Sequence, residues 1–597
     1  MDPLFNHKGG KTVRVSINRV TQRTVVAALA ASGSLMCIAP SAHAVRAPLA
    51  PEVRLADGVV EGIKMRGQHK DVRVFRGIPY AAPPVGDFRF REPQPVARWA
   101  GVLKARQFAA RCMQTTPAGA TKPDFRSKEM SEDCLYLNVW TPASNAEAKL
   151  PVLVYFHGGG FVSGDGSEPR YDGANMASRG IIAVTVNYRL GVFGFLASPD
   201  AAKESANGTT GNYGLLDQVA ALRWVRDNIA QFGGDPSQVT IAGNAAGSVA
   251  VSTHMASPLS RGLFARAIGE SGGAFAPNRV WAREQAVAAA TQFSTRVGAS
   301  SLQQLRSLPA RTLLTASTQL KFAPGSPIFW PHVDGHFLPA SPEQAFASGA
   351  QSQVPLLVGS NAQEQPFTAL LGKTVPTPEA WRETVQTHFK DYAQEVLAHY
   401  PGNDTEEVKH AAAALASDLF VNHGTWRWMD HHRQTGQSPV FYYRYTQPLP
   451  PAYKTAAEPA EPDQPTPGAA HNAQVAYSLG NLDHLAQRYA WTAADYDVSR
   501  MFSRYIEQFV KTGNPSGATS GDVAVAENGA AETGAAATAA GSVPNWPAVR
   551  ADNRGMQQQI IGENTHASWD RSAPRQGLVQ RLVESGQLND FALPVAQ

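Results

Sequence analysis

Cysteine is nearly absent from this chain: its 597 residues hold three. A chain of this length with so few is not a small disulfide-stapled scaffold, and its fold has to rest on a large apolar core. A surplus of charge is missing too. The formal net charge is +4, but five of the 53 Lys/Arg (Lys8, Lys11, Arg14, Arg19, Arg23) and one of the 49 Asp/Glu (Asp2) fall within residues 1–44, which leaves 48 of each sign beyond. No basic run remains to hold a nucleic acid. Long apolar runs are also lacking: after residue 44 none approaches the ~20 apolar residues that span a bilayer, so no membrane span is expected in the mature chain. What is present, 43% hydrophobic and 17% charged residues, is the composition of a soluble globular protein.

Residues 1–44 read as an export signal. Basic residues precede an apolar stretch from Thr24 to Pro40, and Ala42-His43-Ala44 supplies a small-x-small cleavage site. The stretch is short and rich in Ala, Gly and Ser, which favours a cleaved signal over an anchor. Ser34-Leu35-Met36 before Cys37 is a poor lipoprotein motif. The mature chain, 45–597, is therefore expected in the periplasm or outside the cell.

One further absence organises the rest. Val239-Thr240-Ile241-Ala242 reads as a short buried strand, Gly243-Asn244-Ala245-Ala246-Gly247 follows it, and Ser248 to Met255 can continue as a helix. Strand, Gly-x-x-x-Gly and helix form the frame of a nucleophile elbow, in which the middle residue is lifted on a strained turn and is normally Ser. Here it is Ala245, which has no hydroxyl.

The run Gly211-Asn212-Tyr213-Gly214-Leu215-Leu216-Asp217-Gln218, Ala221-Leu222-Arg223-Trp224-Val225, Asn228-Ile229 and Phe232-Gly233-Gly234-Asp235-Pro236 leads into that turn. With it the chain resembles the type-B carboxylesterases, from about Val53 to Trp546. The resemblance implies one large α/β-hydrolase domain over 45–597: a large, mostly parallel central sheet flanked by helices, with long insertions. It implies Ser-His-Glu acyl transfer on a small-molecule carboxylic ester, with no metal or cofactor. By position, Ala245 takes the nucleophile's place, Glu364 in Ser360-Asn361-Ala362-Gln363-Glu364 the acid's, and His471 in His471-Asn472-Ala473-Gln474 the base's. The apolar strand Pro151 to Phe156 runs into His157-Gly158-Gly159-Gly160-Phe161, whose Gly159 and Gly160 amides, with that of Ala246, correspond to an oxyanion hole. With Cys37 assigned to the signal, Cys112 and Cys134 are left as an even pair in an exported chain and read as one disulfide; the matching pair in the family closes a loop near the site entrance.

Other residues are weighed against these. His157, Glu132 and Asp133 read as structural. Ser271 and Ser248 lie near the turn, but neither has the flanks of an elbow. Phe161 and Trp330 suit either acyl-pocket walls or plain core packing. Val53 to Met65 predicts a hairpin, Phe75 to Gly86 an ordered loop crossing the domain, Val498 to Lys511 a helix, and 516–543, rich in Gly, Ala, Ser and Thr, a disordered insertion. Two explanations of Ala245 stand side by side: an esterase carrying a Ser→Ala change, and a natural pseudoenzyme that binds a ligand or partner on the same scaffold.

Overall fold

The structure, a computed structural model, describes residues 51–115, 124–320, 329–453, 468–517, 543–552 and 555–588. The expected signal, residues 1–44, and nearly all of the Gly/Ala-rich stretch, 518–542, lie outside the described residues.

Among the described residues, twelve strands make the main sheet. In chain order they are β1 (Ile63–Lys64), β2 (Arg73–Pro79), β3 (Tyr136–Thr141), β4 (Leu150–Phe156), β5 (Ile182–Val186), β6 (Gly234–Asn244), β7 (Arg266–Glu270), β8 (Leu356–Asn361), β9 (Val440–Tyr445), β10 (Ala551–Asp552), β11 (Gly555–Ile561) and β12 (His566–Asp570). Their order across the sheet is β10-β11-β9-β8-β7-β6-β4-β5-β3-β2-β1, with β12 also paired to β11. From β11 to β5 every neighbouring pair is parallel, and the outer pairs on both sides are antiparallel. This is the expected α/β-hydrolase architecture.

The apolar run of β4 explains its central place. Val152, Val154 and Phe156 enter the core on one face, and Leu153 and Tyr155 enter the core on the other. A strand covered on both sides cannot alternate with polar residues. The chain runs from β4 to β5 on one side, then returns to lay β6 along the other edge of β4. The connections thus part company between β4 and β6, and it is beyond the carboxyl ends of the strands at such a point that open parallel sheets place their ligands.

Two expectations change in detail. The hairpin is present as Glu52–Arg54 against Val59–Glu61. The loop expected from Phe75 begins instead as β2, which pairs with β3 through Pro79. The ladder slips between Phe75 and Ile78, where Gly77 takes φ +75° and donates its N–H to Asn138 Oδ1 at 3.0 Å. A bulge lets a strand carry residues that do not read as regular strand. Among the described residues no helix is long and apolar enough to cross a membrane.

Cys112 and Cys134 are bonded, both buried, with Cα atoms 5.0 Å apart. They close a loop over a sequence separation of 22 residues. On the chain-entropy account such a closure stabilises the fold by about 3 kcal/mol. A Cys112→Ala/Cys134→Ala variant is expected to lose about that much in chemical denaturation; an unchanged midpoint would contradict this.

Candidate active site

The elbow is built by steric exclusion. A Cβ on Gly247 would stand 2.1 Å from the carbonyl oxygen of Phe156, and one on Gly243 would stand 2.5 Å from the carbonyl carbon of Gly247. Only glycine at both positions lets the helix Ala246–Ala256 start directly against the end of β4. Between them Ala245 is held at φ +50°, ψ −118°. Such a backbone costs a non-glycine residue about 1–3 kcal/mol and persists only where its surroundings dictate it. The Ala245 N–H donates to the Glu270 carbonyl at 2.9 Å, and its own carbonyl accepts from Val249 N–H at 2.9 Å. The turn keeps its strained form with a methyl group where a hydroxymethyl would fit the frame.

Beyond β4, Gly159 and Gly160 adopt φ +108° and +61°. Among the described residues, no acceptor takes the amide of Gly159, Gly160 or Ala246. His157 is buried beneath this loop, stacked on Tyr188 with ring centroids 4.3 Å apart. Its Nδ1 lies 2.8 Å from the Gly158 carbonyl oxygen, which can only accept, so Nδ1 carries the proton. Burial lowers its pKa to about 4, which leaves the ring neutral near pH 7 and structural, as expected.

Glu364 lies three residues past the end of β8. Its Oε2 is 2.6 Å from His471 Nδ1, and its Oε1 accepts the Asn361 N–H at 2.6 Å. The carboxylate is buried, and the imidazole side chain is 8% exposed. The loop that carries His471 is tied to both strand ends. Asn361 Nδ2 donates to the Ala470 carbonyl at 2.6 Å and to Gln474 Oε1 at 2.7 Å, and Gln363 N–H donates to Ala469 at 3.1 Å. Asn244 Nδ2 donates to Asn472 Oδ1 at 2.5 Å, which brings the residue after the imidazole onto the residue before Ala245. The Phe420 ring stands edge-on to His471 at 5.0 Å.

The competing residues are occupied elsewhere. Ser248 Oγ donates to the Gly272 carbonyl at 2.6 Å and is fully buried. Ser271, also buried, accepts from Gln474 Nε2 at 3.1 Å. Glu132 forms a two-pronged pair with Arg89, whose guanidinium also caps the carbonyls of Leu305, Arg306 and Leu308. Phe161 and Trp330 meet edge to face at 5.1 Å, both in the main core cluster.

Sequence reasoning did not single out three residues that hold this constellation: Asn244, Tyr171 and Glu270. The one available signal was a polar residue inside the otherwise apolar or small-residue turn. Glu270 is buried behind the elbow and accepts the Tyr155 hydroxyl at 2.6 Å.

Comparison with known proteins follows the same line. A model of the carboxylesterase family matches residues 49–568. The chain is 39% identical to a fumonisin B1 esterase of Sphingopyxis macrogoltabida over 65% of this chain and 70% of that one. It is 36% identical to the para-nitrobenzyl esterase of Bacillus subtilis over 77% of this chain and 89% of that one. A solved structure of a PNB esterase superposes with a TM-score of 0.67 at 32% identity, over 88% of this chain and 99% of that one.

Burial raises the Glu270 carboxyl to a pKa of about 7 from 4.5, with the Tyr155 hydrogen bond opposing. The folded chain therefore keeps a proton that the unfolded chain releases, and stability falls as pH rises from about 4.5 to 7. A Gln keeps the acceptor and carries no such penalty. Glu270→Gln is expected to gain stability over the parent across that window, by up to about 3 kcal/mol above pH 7. A stability difference that stays flat with pH would refute it.

Proposed function

We propose, given that the chain belongs to the carboxylesterase family, that it is the scaffold of an exported carboxylic-ester hydrolase working by Ser-His-Glu acyl transfer, with its nucleophile replaced by Ala245. The observation that carries this reading is the 2.6 Å contact between Glu364 and His471, set on a loop tied to the elbow.

With Ser at position 245 the chemistry follows from the arrangement. The hydroxyl oxygen attacks the ester carbonyl while His471 takes its proton at Nε2. Glu364 holds the ring by Nδ1 and stabilises the imidazolium. The amides of Gly159, Gly160 and Ala246 receive the charge that develops on the carbonyl oxygen. His471 then protonates the departing alcohol, and water repeats the sequence on the acyl-enzyme. Phe161 and Trp330 would bound the acyl side.

With Ala245 the covalent route is closed. Loss of a triad serine costs on the order of 10⁶ in turnover, and what remains comes from the hole and from binding. Of the two explanations for Ala245, retention favours the Ser→Ala change in an active esterase. The contact of His471 with Glu364 and, among the described residues, the three amides without an acceptor persist, and neither is called for by the packing that sets the turn. A natural pseudoenzyme would retain ester binding alone.

The test is Ala245→Ser assayed on p-nitrophenyl butyrate beside the unaltered chain. The expected result is turnover by the revertant and, for the unaltered chain, a rate barely above that of buffer. A revertant as inert as its parent would favour the ligand-binding reading, and brisk turnover by the parent would place the nucleophile elsewhere.

A further inference from the structure

The residue before the missing nucleophile carries an unassigned role. Asn244 is fully buried, and its side chain is committed at both ends. Its Oδ1 accepts the Tyr171 hydroxyl at 2.9 Å, and that hydroxyl in turn accepts the Gly158 N–H at 3.3 Å. Its Nδ2 donates to Asn472 Oδ1 at 2.5 Å. Gly158 opens the glycine loop that bears the Gly159 and Gly160 amides, and Asn472 follows His471. One amide side chain thus touches the three separate pieces of the site: the turn it belongs to, the loop of free amides and the loop of the imidazole.

The contacts leave little freedom. A Cβ on Gly158 would come within 3.0 Å of Asn244 Nδ2, so the loop approaches as closely as glycine permits. Asn472 sits at φ +68°, a conformation that Asn tolerates better than most side chains and that aims its amide back at residue 244. Tyr171 has one hydroxyl hydrogen, and Asn244 Oδ1 is the acceptor that uses it, which leaves Nδ2 to face Asn472. None of these bonds involves the side chain of residue 245.

We propose that Asn244 is the positioning residue of this site: it sets the amide loop and the His471 loop relative to the elbow, and so holds the site together whether or not residue 245 bears a nucleophile. The proposal builds on the functional reading above only for its kinetic consequence; the hydrogen-bonded junction stands on the distances.

Two measurements test it. In the unaltered chain, Asn244→Ala and Asn472→Ala are compared with the parent by hydrogen exchange. Exchange is expected to rise at least tenfold at Gly158 and over 468–474, with protection elsewhere in the sheet retained. Unchanged exchange at those two places, or a uniform rise over the whole molecule, would overturn the proposal; Asn472→Ala serves if Asn244→Ala does not fold. In the Ala245→Ser background, Asn244→Ala is expected to lower kcat about 10- to 100-fold with KM nearly unchanged, as for a displaced catalytic group. Asn244→Asp keeps the acceptor for Tyr171 and can accept from a turned Asn472 amide. It is expected to recover part of kcat, because the Tyr171 end of the junction is kept. Equal kcat with and without Asn244→Ala in that background would also overturn it. Should Ala245→Ser be inert, the functional reading falls and the exchange experiment alone decides the junction.

Discussion

The approach of the helix Ala246–Ala256 to the end of the central strand governs this molecule. The carbonyl oxygen of Phe156 lies so near Gly247 that no side chain fits between them. That contact demands Gly247, the return of the chain demands Gly243, and the residue between is forced to φ +50°. The strain of the turn is set by packing of the backbone, and it is indifferent to whether residue 245 ends in a methyl or a hydroxymethyl. A chain can therefore lose its nucleophile and keep its elbow.

The same constraint fixes the neighbourhood. Because β4 and β6 lie side by side and in parallel, the glycine loop leaving the first and the turn leaving the second stand at the same end of the sheet. β8, two strands along from β6, delivers Glu364 to the same end of the sheet. Among the described residues no strand leads into the His471 loop. It is held by hydrogen bonds from Asn361, Gln363 and Asn244, the residues at or just past the strand ends beneath it. The site is thus a set of strand termini with one loop tied across them, and polar side chains make the ties.

The parts legible in the sequence are those written in apolar runs and glycines. β4, β5, β8 and β9 announce themselves as buried strands, and the two glycine turns stand beside them. Ala245, Glu364 and His471 could be singled out because a resemblance supplies their spacing; composition alone offers 16 histidines and 49 acids. What could not be read was pairwise: Asn244 with Asn472 across 228 residues and with Tyr171 across 73. Single polar residues in loops carry no periodicity, so such partners emerge only once the strands are in register. The strands β10 to β12 were missed for a related reason. Gln557, Gln558 and Gln559 run through the middle of β11, and a strand interrupted by polar residues in that way gives no continuous apolar signal. The ordered loop expected from Phe75 to Gly86 opens as a bulged strand that ends at Pro79, its regularity interrupted at Gly77.

The central claim is that a hydrolase site stands intact around one missing oxygen. A fluorophosphonate probe reacts only where a hydroxyl is both activated by a base and backed by oxyanion donors, so it reads the whole constellation at once. Exposed to it, the Ala245→Ser chain should take up one equivalent, mapped by mass spectrometry to residue 245, while the unaltered chain takes up none. Labelling of the unaltered chain, attachment at Ser248 or Ser271, or no labelling of the revertant would contradict the account.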